Sequence, residues 1–108
     1  MKLYVGGAHQ NQAQLAAEQH PDAELLVDFH DVVREWLAQN EDVDVHVEAL
    51  IREKPELVVI TNEMGSGIVP MDRDDRAWRE ASGRALCRIA RASDEVVRVV
   101  CGIGVKIK

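Results

Sequence analysis

Residues 57–63, Leu57-Val58-Val59-Ile60-Thr61-Asn62-Glu63, decide the fold. Leu57–Ile60 is an unbroken apolar run, the pattern of a strand covered on both faces, as strands of parallel sheets are. It flows into a polar end, Thr61-Asn62-Glu63, and then into a glycine-bearing loop, Met64–Pro70. A long helix is expected next, from about Asp72 to Ala92, with Trp78, Ala81, Ala85 and Ile89 on its inner side. A buried strand leaving through a polar loop into a helix is a building unit of α/β folds.

The unit recurs on both sides. Upstream, Lys2–Val5 is a short apolar strand running into Gly6-Gly7, followed by a Gln- and Ala-rich helix from about Gln10 to Gln19 that Pro21 stops. Glu24–Asp28 (ELLVD) is a second apolar run, ending in an acid, and reads as another strand buried on both faces. Phe29, Val32, Val33, Trp36 and Leu37 then mark one face of a helix. Val43, Val45 and Val47 alternate as in a strand, yet Val43, Val47, Leu50, Ile51 and Lys54 fit a helical face, and the helix is the preferred reading. Downstream, Val96–Cys101 is a fourth strand, Gly102-Ile103-Gly104 turns the chain, and Val105–Ile107 is its hairpin partner. Strands alternating with helices imply crossover connections. The expected architecture is a three-layer α/β domain over residues 1–108, with a small, mainly parallel sheet and a C-terminal hairpin.

Composition narrows the function. A net charge of -6 argues against nucleic acid, whose backbone requires a basic face. Basic residues gather between Arg73 and Arg91, but acids are interleaved with them as on a solvated helix face. Neither a signal peptide nor an apolar stretch long enough to cross a membrane is recognisable, so a cytoplasmic location is expected. With only 4% aromatic residues, the core must rest on Val, Leu, Ile and Ala. Cys87 and Cys101 lack metal-ligand spacing and read as small core residues.

Ligands of such sheets bind at the carboxyl ends of the strands. Gly6-Gly7-Ala8 follows the first strand, Asp28 ends the second, and Thr61, Asn62 and Glu63 end the third. Gly6-Gly7 suits either a backbone approach to phosphate or a plain strand-to-helix turn. Asp28 suits either a magnesium-holding acid beside a nucleotide or a helix cap. Glu63, between a buried strand and two glycines, suits a ligand contact or a loop cap. His9 sits in the glycine loop, within reach of an anion, whereas His20, His30 and His46 read as surface or boundary residues.

Residues 59–70, VITNEMGSGIVP, carry a specific resemblance. The adenosylcobinamide kinase / adenosylcobinamide-phosphate guanylyltransferase family has a segment of the form (V/S)(S/T)NE(V)GxGIVP. Thr61, Asn62, Glu63, Gly65, Gly67, Ile68, Val69 and Pro70 fit it in order. Arg76, Arg79, Glu80, Gly83 and Arg84 resemble the family's long helix, and ASDEVVRVVCGIGVKIK at residues 92–108 is similar to its end. The resemblance implies a P-loop-like (RecA-like) fold and a part in cobalamin biosynthesis. It implies GTP or ATP with magnesium, a corrinoid as the other small molecule, and a homo-oligomer. It also implies nucleotide contacts at Gly6, Gly7, Ala8, His9, Gln12, Asp28, Asn62 and Glu63, with Asp28 on the metal.

The first half departs from the pattern. Where the family has the P-loop GGARSGKS, this chain reads Gly6-Gly7-Ala8-His9-Gln10-Asn11-Gln12-Ala13. Asn11 replaces the last glycine, Gln12 the phosphate-binding lysine and Ala13 the magnesium-binding hydroxyl. The basic segment bearing the family's guanylylated histidine is missing, because Gln19-His20-Pro21 leads almost directly to Glu24–Asp28. The resemblance with these departures implies a nucleotide- or corrinoid-binding or regulatory module without phosphoryl transfer. The alternatives are an active transferase on adenosylcobinamide or its phosphate, and a structural stub without a ligand.

Overall fold

The computed structural model describes residues 1–63 and 73–108. In chain order they form β1 (Lys2–Gly6), α1 (Gln12–Gln19), β2 (Leu25–Leu26), α2 (Phe29–Ala38), α3 (Val43–Glu53), β3 (Val58–Asn62), α4 (Arg73–Ala92), β4 (Glu95–Val100) and β5 (Ile103–Lys106). The five strands make one sheet in the order β2-β3-β1-β4-β5. All neighbours are parallel except β4 and β5, which form an antiparallel hairpin.

Alternation along the strands divides the core in two. Tyr4, Val58, Ile60, Val97 and Val99 face α1 through Ala16, while Leu3, Leu57, Val59 and Val96 face Phe29, Val33, Val47, Ala81, Ala85 and Ile89. Helices therefore cover both faces, and Val58 to Thr61 are at most 1% exposed, as the apolar run requires. Burial of each Val or Ile side chain of β3 contributes about 1.5–3 kcal/mol.

The strand order also locates the crevice. The connection out of β1 runs through α1 to β2, on one side of β3, while that out of β3 runs through α4 to β4, beyond β1. The two connections diverge above the carboxyl ends of β1 and β3, and in open α/β sheets such a divergence leaves a ligand cleft.

Several expectations are corrected. The helix after the first strand starts at Gln12 rather than Gln10, because Asn11 holds a left-handed φ of 65°. Only Leu25 and Leu26 of the second apolar run pair as a strand, half-buried at the sheet edge, and Val27 and Asp28 are exposed. β3 extends two residues past Ile60 to Asn62. The final turn is tighter than its glycines suggest. Cys101 and Gly102, at φ 52° and 75°, form a two-residue loop of the kind that matches strand twist, so β5 begins at Ile103. Both cysteines are exposed, one on α4 and one in that turn. The ambiguous valine segment is helical, with Asp42 capping it through Asp44 N–H at 3.0 Å. The loop Met64–Pro70 and Asp72 lie outside the described residues. No helix among the described residues is long and apolar enough to cross a membrane.

Candidate functional site

Gly6 closes β1 for a packing reason. A Cβ there would lie 2.5 Å from the Val99 carbonyl oxygen, so only glycine lets β1 and β4 run this close. Gly7 has no such crowding. The chain then rises through Ala8, His9 and Gln10, with left-handed backbone at His9 (φ 62°) and Asn11 (φ 65°). Asn tolerates that region better than most residues, which explains how a residue other than glycine stands there. Gln10 anchors the loop to the hairpin. Its carbonyl accepts from Gly102 N–H at 3.0 Å and its Oε1 from Cys101 N–H at 2.6 Å.

Beneath the loop, Gln12 is buried at 5% exposure. Its Nε2 lies 3.4 Å from Gly6 O, 3.1 Å from Gly7 O, 3.2 Å from Thr61 O and 3.0 Å from Asn62 Oδ1. Four oxygens from the ends of β1 and β3 thus converge on one nitrogen that carries two protons. Glu63 N–H donates to Gly6 O at 2.7 Å and ties the start of the next loop to the same point. A cage of this kind suits an ammonium donor at least as well as an amide. The side chain here fills it without bringing a positive charge.

Asp28 stands at the N-cap position of α2, but it has left-handed backbone (φ 56°) and its carboxylate caps no N–H. The expected alternative of an acidic helix cap is therefore not realised by its side chain. Its carbonyl accepts from Asp31 N–H at 2.9 Å. Among the described residues no group of three or more His, Cys, Asp and Glu side chains is arranged to hold a metal.

Of the expected residues, Gly6, Gly7, Gln12, Asn62 and Glu63 are joined by hydrogen bonds at one place. Ala8 and His9 form the exposed loop above them. Among the described residues, Asp28 connects to that place through the first turn of α2. There His30, expected as a surface or boundary residue, is buried at 8% exposure, and its Nδ1 accepts the Asn62 N–H at 3.2 Å. A histidine two residues after the acid that ends an apolar run is the available signal. His20 lies at the opposite end of the sheet, 2.9 Å from the Tyr4 hydroxyl, lining a cleft with Lys2, Pro55 and Leu57. On the other flank of β1, a shallow groove of about 860 Å³ has Val5, Leu86 and Ile107 in its wall and Glu63, Arg76 and Arg79 at one end.

Comparison with known proteins places the chain in a family. The family model described as cobinamide kinase / cobinamide phosphate guanyltransferase (CobU) matches residues 7–107. This chain belongs to that family. It is 45% identical over 71 residues to the bifunctional adenosylcobalamin biosynthesis protein CobU of Salmonella typhimurium, covering 66% of this chain and 39% of that protein. It is 40% identical over 78 residues to the protein of the same name from Escherichia coli, covering 68% of this chain and 43% of that one. The match therefore spans less than half of each CobU relative's length. The family is described by its kinase and guanyltransferase activities, and both relatives are named for adenosylcobalamin biosynthesis.

Proposed function

We propose that this CobU-family chain is a nucleotide-binding module that has given up phosphoryl transfer. GTP or ATP would sit above the carboxyl ends of β1 and β3, with its phosphates against Gly6, Gly7, Ala8 and His9, and with Asn62 and Glu63 beside it. The observation that carries this reading is the Gln12 amide in its four-oxygen cage. The glycine turn out of β1, with left-handed backbone at His9 and Asn11 leading into α1, supports binding. A neutral amide where the family has lysine leaves the charge on the β- and γ-phosphates uncompensated as the γ-phosphoryl departs. Loss of one preorganised electrostatic donor slows such reactions by a factor on the order of 100 to 1,000.

Magnesium would arrive with the nucleotide. The exposed Asp28 carboxylate, unused in capping, fits one ligand position of an ion held mostly by phosphate and water. Ala13 offers no hydroxyl to complete the set. Bound magnesium would supply charge neutralisation, and this chain would supply orientation through Asn62 and Glu63. A corrinoid is the second small molecule in this reading, and self-association is part of it too. Val100, Ile103, Val105 and Ile107 are exposed along the β4–β5 hairpin, which supports contact between copies.

The second reading is a nucleotide-dependent transferase acting on adenosylcobinamide or its phosphate, and the hydrogen-bonded Asn62–Glu63 segment favours it. Isothermal titration with GTP, ATP and adenosylcobinamide in the presence of magnesium tests both. Micromolar nucleotide affinity that Glu63→Ala abolishes is the expected result, and no binding of any of the three would end both readings. Transfer of label from radiolabelled GTP to the corrinoid or to the protein would favour the second.

A further inference from the structure

Among the described residues, the sheet leaves the Asn62 backbone donor at the candidate site without a strand partner. Val58 N–H points toward the β2 side of β3 and donates to Glu24 O at 3.0 Å. By the two-residue period of a strand, Asn62 N–H points to the same side, but β2 has already ended at Leu26. His30 fills the vacancy. Its Nδ1 accepts Asn62 N–H at 3.2 Å and lies 3.3 Å from Thr61 Oγ1. Because an N–H is directed at it, Nδ1 is the ring nitrogen without the proton.

The backbone of His30 is tied to α4 as well. The His30 carbonyl accepts the Trp78 indole N–H at 2.7 Å, and the two rings lie 6.4 Å apart. His30 therefore links α2, β3 and α4 at one point. Asn62 passes that restraint onward, since its Oδ1 accepts from Gln12 Nε2 at 3.0 Å under the glycine loop.

We infer that His30 is a positioning residue for the nucleotide site, acting through Asn62 to fix the end of β3, the Gln12 amide and the start of the Glu63 segment. The inference rests on the nucleotide-binding reading for its ligand, but its structural part is independent of that reading. Without the acceptor, the Asn62 N–H is an unpaired donor at the end of a buried strand, where groups of this kind are almost always satisfied. The end of β3 would then move to find another partner, and the Gln12–Asn62 contact would move with it.

The test uses the whole chain with His30→Leu, which keeps bulk but removes the acceptor, and His30→Asn, whose Oδ1 sits one bond beyond Cγ as Nδ1 does. Amide hydrogen exchange by NMR is read at Asn62, at Glu63 and, as controls, at Ala85 and Ile89. MgGTP and MgATP affinity is measured by titration. His30→Leu is expected to speed Asn62 exchange at least tenfold with the α4 controls unchanged, and to weaken nucleotide binding about tenfold. His30→Asn is expected to restore both. Unchanged Asn62 exchange in His30→Leu, faster exchange spread equally over the controls, or His30→Asn behaving like His30→Leu would each overturn the inference. If His30→Leu does not fold, Asn62 protection in His30→Asn decides alone, and its loss overturns the inference. If the unmodified chain binds neither nucleotide, the functional reading fails while the exchange arm still decides the role of His30.

Discussion

Replacing Gln12 by leucine would test whether the amide cage holds the site together. Leucine keeps nearly the same volume at a position only 5% exposed, so the change is mainly the loss of two N–H donors. Four oxygens lie within 3.0–3.4 Å of that nitrogen, but two protons make at most two full hydrogen bonds at once. Gly6 O retains a bond from Glu63 N–H at 2.7 Å and loses least. Gly7 O and Asn62 Oδ1 lose more. A net hydrogen bond contributes about 1 kcal/mol, and a buried acceptor left unsatisfied costs about 1–3 kcal/mol. The expected destabilisation of Gln12→Leu is therefore about 2–3 kcal/mol. With a urea dependence of about 1–3 kcal/mol per molar, the unfolding midpoint should fall by roughly 1 M. Fluorescence of Trp36 and Trp78, both packed against the larger core cluster, reports that transition. Gln12→Lys should keep most of the stability, because an ammonium presents three donors to the same oxygens, and should raise MgGTP affinity at least tenfold. A loss under about 0.5 kcal/mol for Gln12→Leu, or Gln12→Lys as damaging as Gln12→Leu, would refute the cage as the element that holds the loop.

Three further outcomes follow from packing and ionisation. Gly6→Ala should cost about 3 kcal/mol in urea unfolding, since its Cβ meets a backbone carbonyl at 2.5 Å, whereas Gly83→Ala, with nothing within 4 Å, should gain about 0.5–1 kcal/mol from helix propensity. Ser82→Ala should be neutral or stabilising by up to about 1 kcal/mol, because the Ser82 hydroxyl is buried without a hydrogen-bond partner among the described residues. Tyr4 has its ionisation raised above 10.0, first by burial and then by the charge of Glu95. The folded state thus holds the phenolic proton more tightly than the unfolded chain does. That contribution is complete below pH 10 and is lost as pH rises through the folded value. Urea midpoints measured from pH 8 to 11 should fall above pH 10, and Tyr4→Phe should flatten that fall.

Much of the fold was legible because hydrophobic period and chain direction are local properties. Leu57–Ile60 is apolar at every position, and this pattern already states burial on both faces. The long helix is equally readable from the spacing of Ala81, Ala85 and Ile89, all buried as expected. The run Leu25–Val27 misleads for the opposite reason. Its composition resembles that of a central strand, but its place at the sheet edge follows from the order of strands, which no local pattern encodes. Cys87 and Cys101 were misread for a similar reason, since small apolar-like residues suit the core and tight turns alike.

What the sequence by itself determined was the family, the α/β alternation and the departure at Asn11, Gln12 and Ala13, all carried by residue identity at fixed spacing. Only the tertiary structure decided what Gln12 does, because its four oxygen partners come from two strands separated by some fifty residues of chain. It also decided that Gly6 serves the contact between β1 and β4, and that His30 takes the N–H left over where β2 stops short. Hydrogen bonds of this kind form between groups brought together by sheet order, and sheet order is fixed by burying both faces of the whole sheet at once.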